Sequence, residues 1–327
     1  MRFLFVGFRH VHIESLYETV ASRKDLEVAA CVESDPSARK SAAEKLHIAF
    51  SESPYTDLIS NDVVDIVAVG SCYGDRARVI KAALYAGMHV LSDKPICVSF
   101  DELRDIKELA RSKHRKVGCL FDLRYLPQVK RAKAILQSGR LGEVRNVSFT
   151  GQHFLDAKNR PSWYYEPGMH GGTINDLGVH GVDLVRHLTG LRVKTVDAAR
   201  CRNAYATEHP DFRDCAVFMA RLSNGADLLA DVSYSAPEQA MTMPTYWNFT
   251  FWCERGMLRF CAADLRVYVY EAGESDVQVF QGIDDGTNVI DDFLFEIKAG
   301  ADDLTEGVFA ATYDALLLQA AADGGAP

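Results

Sequence analysis

Short, continuously apolar runs alternate with amphipathic stretches through the first third of the chain. Phe3–Val6, Leu26–Val32, Val63–Val69, His89–Ser92 and Lys116–Phe121 read as strands. Between them the pattern predicts helices over Val11–Ser22, Pro36–Leu46, Arg76–Ala86 and Phe100–Lys113, the last capped by Ser99 or Asp101. Strands that are apolar on both sides need cover on both faces, which makes this an α/β unit built on a doubly wound parallel sheet. Ligands of such sheets bind beyond the carboxyl ends of the strands.

After about residue 122 the rhythm changes. A helix over Leu126–Ser138 leads through Gly139-Arg-Leu-Gly142 into a strand near Val144–Phe154. A loop rich in Pro, Trp and Tyr follows, then a helix from Thr173 to Leu188. Strands then dominate: Cys215–Leu222, Ala226–Ser235, Trp247–Glu254, Gly256–Ala262 and Arg266–Glu271. Ser223-Asn-Gly225 and Glu254-Arg-Gly256 read as hairpin turns. A last helix near Leu304–Ala321 ends in a Gly/Ala tail expected to fray. The second part is thus an α+β domain with a large, mostly antiparallel open sheet and helices on one face. The expected domains are 1–122 and 123–327, with no internal repeat and no low-complexity linker.

A chain of 327 residues suits about two domains, and 48% apolar with 25% charged residues is ordinary globular composition. The net charge of −9 comes without any Lys/Arg block, which argues against a nucleic-acid partner. The opening apolar run is too short for a signal-peptide core, and no stretch approaches the ~20 apolar residues that cross a bilayer. Eight scattered cysteines without a C-x-x-C point to a reducing cytoplasm, no disulfide framework and no zinc site.

A dinucleotide cradle asks for a strand, a glycine turn and a helix N-terminus, so that backbone N–H groups meet the pyrophosphate. Gly7-Phe-Arg-His-Val-His12 stands at that place, but only the first glycine is present; Arg9 and His12 occupy the other two positions. Taken alone, the segment serves equally as a plain strand-to-helix turn. Arg9 and His10 offer a different route, direct contact with phosphate. His10 and His12, two positions apart with no third ligand nearby, make a poor metal pair, so no metal is assigned. Glu33 follows the second strand, where a carboxylate accepts ribose hydroxyls and repels a 2′-phosphate, favouring NAD over NADP; with Ser34 and Asp35 it equally caps the next helix.

Four segments carry a resemblance. Ala86-Gly-Met-His-Val-Leu-Ser-Asp-Lys-Pro95 resembles the "AGKHVLxEKP" segment of the glucose–fructose oxidoreductase/inositol dehydrogenase/rhizopine catabolism (Gfo/Idh/MocA) family. Gly171-Gly-Thr-Ile-Asn-Asp-Leu-Gly-Val-His180 is similar to its "GGGxxxDxGxH". Arg124-x-x-Pro127 through Gly139-Arg-Leu-Gly-Glu143 resembles the segment joining its two domains, and Asp291–Gly300 its C-terminal "FxxxIxxG". All four stand in family order. The resemblance implies a Rossmann-type NAD(P)-binding domain followed by an α+β substrate and oligomerisation domain. It also implies a catalytic trio of Lys94, Asp176 and His180, often with a cis bond after the lysine. Lys94 would steady a developing alkoxide, His180 would take the hydroxyl proton, and Asp176 would hold a substrate hydroxyl or the Lys94 ammonium. The cofactor set is Gly7, Phe8, Arg9, His10, Val11, Glu33, Ser71, Asp93 and Lys94. Three departures stand out: the degraded glycine turn, Gly70-Ser-Cys-Tyr-Gly74 in place of "TPNxxH" with Arg76 where its histidine would fall, and Asp93 for glutamate.

Asp176 and His180 are four apart, one turn on a helix face, with Asp183 and His187 a turn further on as structural residues. Gly171, Gly172, Gly178 and Gly181 around them imply close backbone approach to a cofactor or a neighbour. Trp163, Tyr164 and His170 in the aromatic loop are either substrate contacts or a cover for the core, and Arg124 is a further substrate candidate. The expected activity is hydride transfer between NAD and a hydroxyl carbon of a sugar, inositol or related polyol. Two other activities of the family stay open: glycoside cleavage through transient sugar oxidation, and non-catalytic sugar or nucleotide sensing. Relatives commonly assemble as homodimers or homotetramers; the apolar and aromatic strands near Tyr246–Phe260 fit such an interface and fit a core equally.

Overall fold

The computed structural model describes residues 1–59 and 63–325, so the last two residues of the Gly/Ala tail lie outside the described residues. The chain divides into two compact units. The first comprises Met1–Leu120, Gly168–Gly171 and Val289–Phe309; the second comprises Phe121–Pro167, Gly172–Asn288 and Ala310–Pro327. Each unit is thus assembled from three stretches of the chain.

The first unit alternates β1 (Arg2–Val6), α1 (Val11–Ser22), β2 (Glu27–Val32), α2 (Pro36–Leu46), α3 (Tyr55–Leu58), β3 (Ile66–Val69), α4 (Tyr73–Tyr85), β4 (His89–Ser92), α5 (Phe100–Ser112) and β5 (Val117–Cys119). The strands pair in parallel in the order β2-β1-β3-β4-β5. Their apolar runs explain the sheet: Phe3, Leu4, Phe5, Ile66, Val67, Val90 and Leu91 are wholly buried. Ser99, rather than Asp101, caps α5 by accepting from Glu102 N. Later in the chain α8 (Val289–Ala299) and the start of α9 (Asp303–Ala322) join this unit. Thr305 Oγ1 accepts from Val117 N at 3.2 Å and Glu296 accepts from Thr305 N at 3.0 Å, so the Asp291–Gly300 segment serves packing beside β5.

In the second unit α6 (Pro127–Gln137) precedes β6 (Val144–Gln152), and α7 (Val179–Thr189) follows a π-helical turn over Ile174–Gly178. The strands β7 (Val193–Arg202), β8 (Cys215–Leu222), β9 (Asp227–Ser233), β10 (Asn248–Cys253), β11 (Gly256–Cys261), β12 (Asp264–Glu271) and β13 (Gln278–Gln281) complete the sheet. Its order is β13-β12-β11-β10-β6-β9-β8-β7, antiparallel except for the parallel pair β6/β9. Both expected hairpins, β8–β9 and β10–β11, form. The sequence missed β7 and β13 because they are the sheet's two edges. Lys194, Asp197, Arg200 and Arg202 give β7 the charged, mostly exposed face that protects an edge and hides its alternation. Along β8 and β9 the alternation is strict, burying one face and leaving Val217, Met219 and Leu229 on the other.

The α7 helix sits directly on β6. A Cβ built at Gly181 would lie 2.0 Å from the Phe149 ring, so only glycine lets helix and sheet meet there. Gly181→Ala should therefore destabilise the protein by about 1–3 kcal/mol, as overpacking does, read as a lower denaturant midpoint. A second prediction concerns His89, whose Nδ1 accepts from Lys116 N at 3.0 Å. Burial, reinforced by the Arg115 and Lys116 charges, pushes this imidazole down to about 4. A folded pKa below the ordinary value of 6.5 gives stability that is complete above pH 6.5 and lost as pH falls toward 4. The thermal midpoint should drop across that window, and His89→Gln, which keeps an acceptor, should flatten part of the drop.

Candidate active site

The strand order of the first unit reverses between β1 and β3, the switch point beyond which ligands of such sheets bind. Gly7, Gly70 and Asp93 immediately follow β1, β3 and β4. Gly7 has φ +87° and a Cβ there would lie 2.5 Å from Ser71 N, so this turn requires glycine. Arg9 N donates to Gly70 O at 3.0 Å, and Ser71 Oγ to Val6 O at 3.4 Å, tying the β1–α1 turn to the end of β3. His10 is the N-cap of α1 in extended conformation without a side-chain cap; its carbonyl accepts from Ile13 N at 3.3 Å, and the Val11 N–H at the very start of the helix is placed to meet another acceptor. That is the donor set a pyrophosphate uses, and the residues present fit a dinucleotide in this respect.

Arg9 turns toward β2. Its Nε donates to Glu33 at 2.9 Å and its Nη1 lies 3.7 Å from Asp35. Glu33 is buried and also accepts from Phe8 N at 2.6 Å and Asp35 N at 2.7 Å. Three of roughly four acceptor positions of this carboxylate are thereby used, two by the β1–α1 turn and one by its own loop.

Asp93, wholly buried, gathers four nitrogen neighbours. Lys94 N (2.7 Å) and His12 Nδ1 (3.0 Å) face Oδ1; Arg76 Nη2 (2.8 Å) and His10 Nδ1 (2.9 Å) face Oδ2. Burial by itself would raise this carboxyl, but Arg76, His10 and His12 hold it well below the usual carboxylate range. For His10 burial prevails over the pull of Asp93 and pushes the imidazole down to about 4. Arg76, with no exposed surface, also donates to Ser71 O at 3.0 Å, Pro95 O at 3.0 Å and Lys94 O. It thus braces the Lys94–Pro95 turn, whose peptide bond is cis.

Lys94 is 4% exposed, with Nζ 5.8 Å from the centroid of Tyr73. Around the same ring stand the Arg76 guanidinium at 4.4 Å, His10 at 6.1 Å and His170 at 5.7 Å. His170, expected as a substrate contact, therefore stands beside the same ring as Lys94, on the short Gly168–Gly171 segment of the first unit. Tyr73 was not singled out from the sequence. Its signal was its place in Gly70–Gly74, the stretch that departs from the family pattern.

In the second unit, Asp176 lies inside the π-turn, so the simple one-turn α-helical spacing to His180 is widened by an i→i+5 geometry. Gln319 Oε1 accepts from Ile174 N at 2.9 Å and leaves no space for a Cβ at Gly172. The close approach that the glycines foretold is to Gln319 and Phe149. Asp176 is buried, and its Oδ2 accepts from Tyr164 Oη at 2.8 Å and from Tyr234 Oη. Tyr234, just past β9, was missed because only the tertiary fold brings it to a carboxylate 58 residues away. His180 is 8% exposed, its ring 5.4 Å from Trp247 and 6.2 Å from Phe121. Trp163 is buried against Tyr164, with ring centroids 4.9 Å apart. Arg124 is buried in a two-pronged pair with Asp183, its Nε donating at 2.8 Å and its Nη2 to the other oxygen.

Comparison with known proteins agrees with these features. Residues 1–121 match the model of the oxidoreductase family with an NAD-binding Rossmann fold, and residues 129–259 that of the GFO/IDH/MocA C-terminal domain. The oxidoreductase YrbE of Bacillus subtilis is 28% identical over 199 residues, 60% of this chain and 57% of the relative. D-xylose dehydrogenase of Paenarthrobacter nicotinovorans is 26% identical over 163 residues, 48% of this chain and 41% of the relative. The chain thus spans about half the length of these curated relatives. A structure of levoglucosan dehydrogenase in complex with NADH superposes with TM-score 0.82 at 17% identity, covering 99% of this chain and 97% of the other, a likeness of fold. With both domain models matched in order, the chain belongs to the Gfo/Idh/MocA oxidoreductase family and begins with its NAD-binding Rossmann domain.

Proposed function

We propose that the protein is an NAD-dependent dehydrogenase acting on a hydroxyl carbon of a sugar, inositol or related polyol, with Lys94, Asp176 and His180 as its catalytic residues. The observation that carries this is the bracing of Lys94: a buried lysine at the carboxyl end of β4, in a turn fixed by Asp93 and Arg76. The relatives named for D-xylose and levoglucosan support a sugar-like substrate.

NAD, when bound, supplies the hydride acceptor. Gly7, Phe8, Arg9, His10 and Val11 hold its phosphates at the start of α1, with Ser71 and Asp93 beside them and Glu33 toward its ribose. The carboxylate of Glu33 makes NADP the poorer cofactor. The Lys94 ammonium stabilises the alkoxide as it forms, in a setting largely closed to water. His180 accepts the hydroxyl proton. Asp176 is a fixed acceptor for a substrate hydroxyl, aligned by Tyr164 and Tyr234. Trp163, Tyr164 and His170 are the candidate substrate contacts, and Arg124, held by Asp183, is a further one. The outward apolar face of the second sheet (Val217, Met219, Leu229) supports self-association as a dimer or tetramer, and the acidic, cysteine-bearing chain suits a reducing cytoplasm.

Purified protein with NAD+ and a panel of sugars and inositols should show cofactor reduction for at least one of them. Lys94→Met should abolish turnover, and His180→Ala should lower kcat by about 10²–10⁴-fold; full activity in either variant removes the assignment. Cleavage of a glycoside without net cofactor reduction would instead identify the transient-oxidation chemistry. Tyr234→Phe should raise KM more than it lowers kcat, because it loosens Asp176 without touching the proton acceptor.

A further inference from the structure

We propose that His10, His12 and Asp93 form a site for one divalent first-row transition-metal ion, with zinc the best match. The sequence offers only two imidazoles, two positions apart; the fold supplies the third ligand from the end of β4, 81 residues beyond His12. One donor atom from each of the three residues falls within 4.8 Å of the others. The imidazole rings are 4.4 Å apart and perpendicular, at 88°, so they meet the carboxylate from two directions rather than stacking.

The separations have the scale of a coordination shell. Zinc bonds of about 2.0–2.1 Å in a tetrahedron put neighbouring ligand atoms about 3.3 Å apart. Here His10 Nδ1 and His12 Nδ1 stand 2.9 and 3.0 Å from the two oxygens of Asp93. The His10 contact is the more informative. Its Nδ1 is buried and, among the described residues, has no hydrogen-bond partner despite lying 2.9 Å from Asp93 Oδ2. A short nitrogen–oxygen approach without a hydrogen bond is what two ligands of one ion show, and a buried polar atom without a partner is otherwise unfavourable.

Two imidazoles and a carboxylate suit zinc, cobalt, nickel or iron(II), and exclude the oxygen-loving calcium and magnesium. Arg76 and the Lys94 N–H orient the carboxylate from behind, the outer contacts by which a ligand is aimed at its ion. The guanidinium charge also weakens the attraction for a cation, so the affinity should fall below that of a four-ligand structural zinc site. Three protein ligands leave at least one coordination position open.

The test needs neither substrate nor NAD, so it succeeds or fails independently of the proposed dehydrogenase activity. Chelator-treated full-length protein is titrated with Co²⁺ and followed by visible absorption, then back-titrated with Zn²⁺. One equivalent of Co²⁺ should develop the ligand-field bands of a low-coordinate ion, and Zn²⁺ should displace it. His12 is partly exposed, so His12→Ala should keep its unfolding midpoint and lose the bands. Asp93→Asn tests the third ligand, with circular dichroism as the check on folding. Absence of saturable Co²⁺ binding to the native chain, or an unchanged spectrum and stoichiometry in His12→Ala, overturns the site.

Discussion

The carboxylate of Asp93 is the interaction on which the first unit's candidate site depends. A wholly buried charge persists only if partners offset its desolvation, and this one accepts from Arg76 and the backbone N–H of Lys94, with the rings of His10 and His12 against it. Those partners come from four places: the β1–α1 turn, the first turn of α1, α4, and the turn after β4. One charge therefore fixes the height of the glycine turn, the position of Arg76 and the start of the Lys94–Pro95 segment together. A glutamate would push the same charge one methylene further into this packed set. The shorter aspartate and His12 are thus matched departures from the family pattern, rather than separate losses.

The second unit solves a similar problem with neutral donors. Asp176 is also buried, but two tyrosine hydroxyls meet it and no guanidinium lies among the partners described above. Charged donors bind a carboxylate more strongly, while phenols align it and leave more of its charge available to a ligand. The π-turn over Ile174–Gly178 adds one residue to the helical circuit just where Asp176 must face Tyr164 and Tyr234. Such turns are uncommon and occur frequently at functional sites, which fits the place of Asp176 here. Gly181 then lets α7 lie against Phe149, fixing His180 one residue before it.

Much of this was legible in the sequence. The parallel sheet followed from apolar runs, because strands buried on both faces carry no alternation. The hairpins followed from Asn-Gly and Arg-Gly turns, and Lys94, Asp176 and His180 stood in segments with a strong resemblance. The edge strands β7 and β13 were not legible, since an edge carries charge where an inner strand carries a pattern. Nor was α8 recognised as a helix of the first unit: its amphipathic face finds its partner only when the chain returns to β5.

The sequence by itself determined the fold class, the family and the residue types available for chemistry, because these depend on local periodicity and on short contiguous motifs. Which side chains share a charge or a hydroxyl was decided by the tertiary structure alone. Asp93 meets His12 across 81 positions, Asp176 meets Tyr234 across 58, and Arg124 meets Asp183 across 59. Nothing in local pattern encodes such pairs. They arise when packing removes water from a polar group and leaves the nearest donor as its only remaining source of stabilisation.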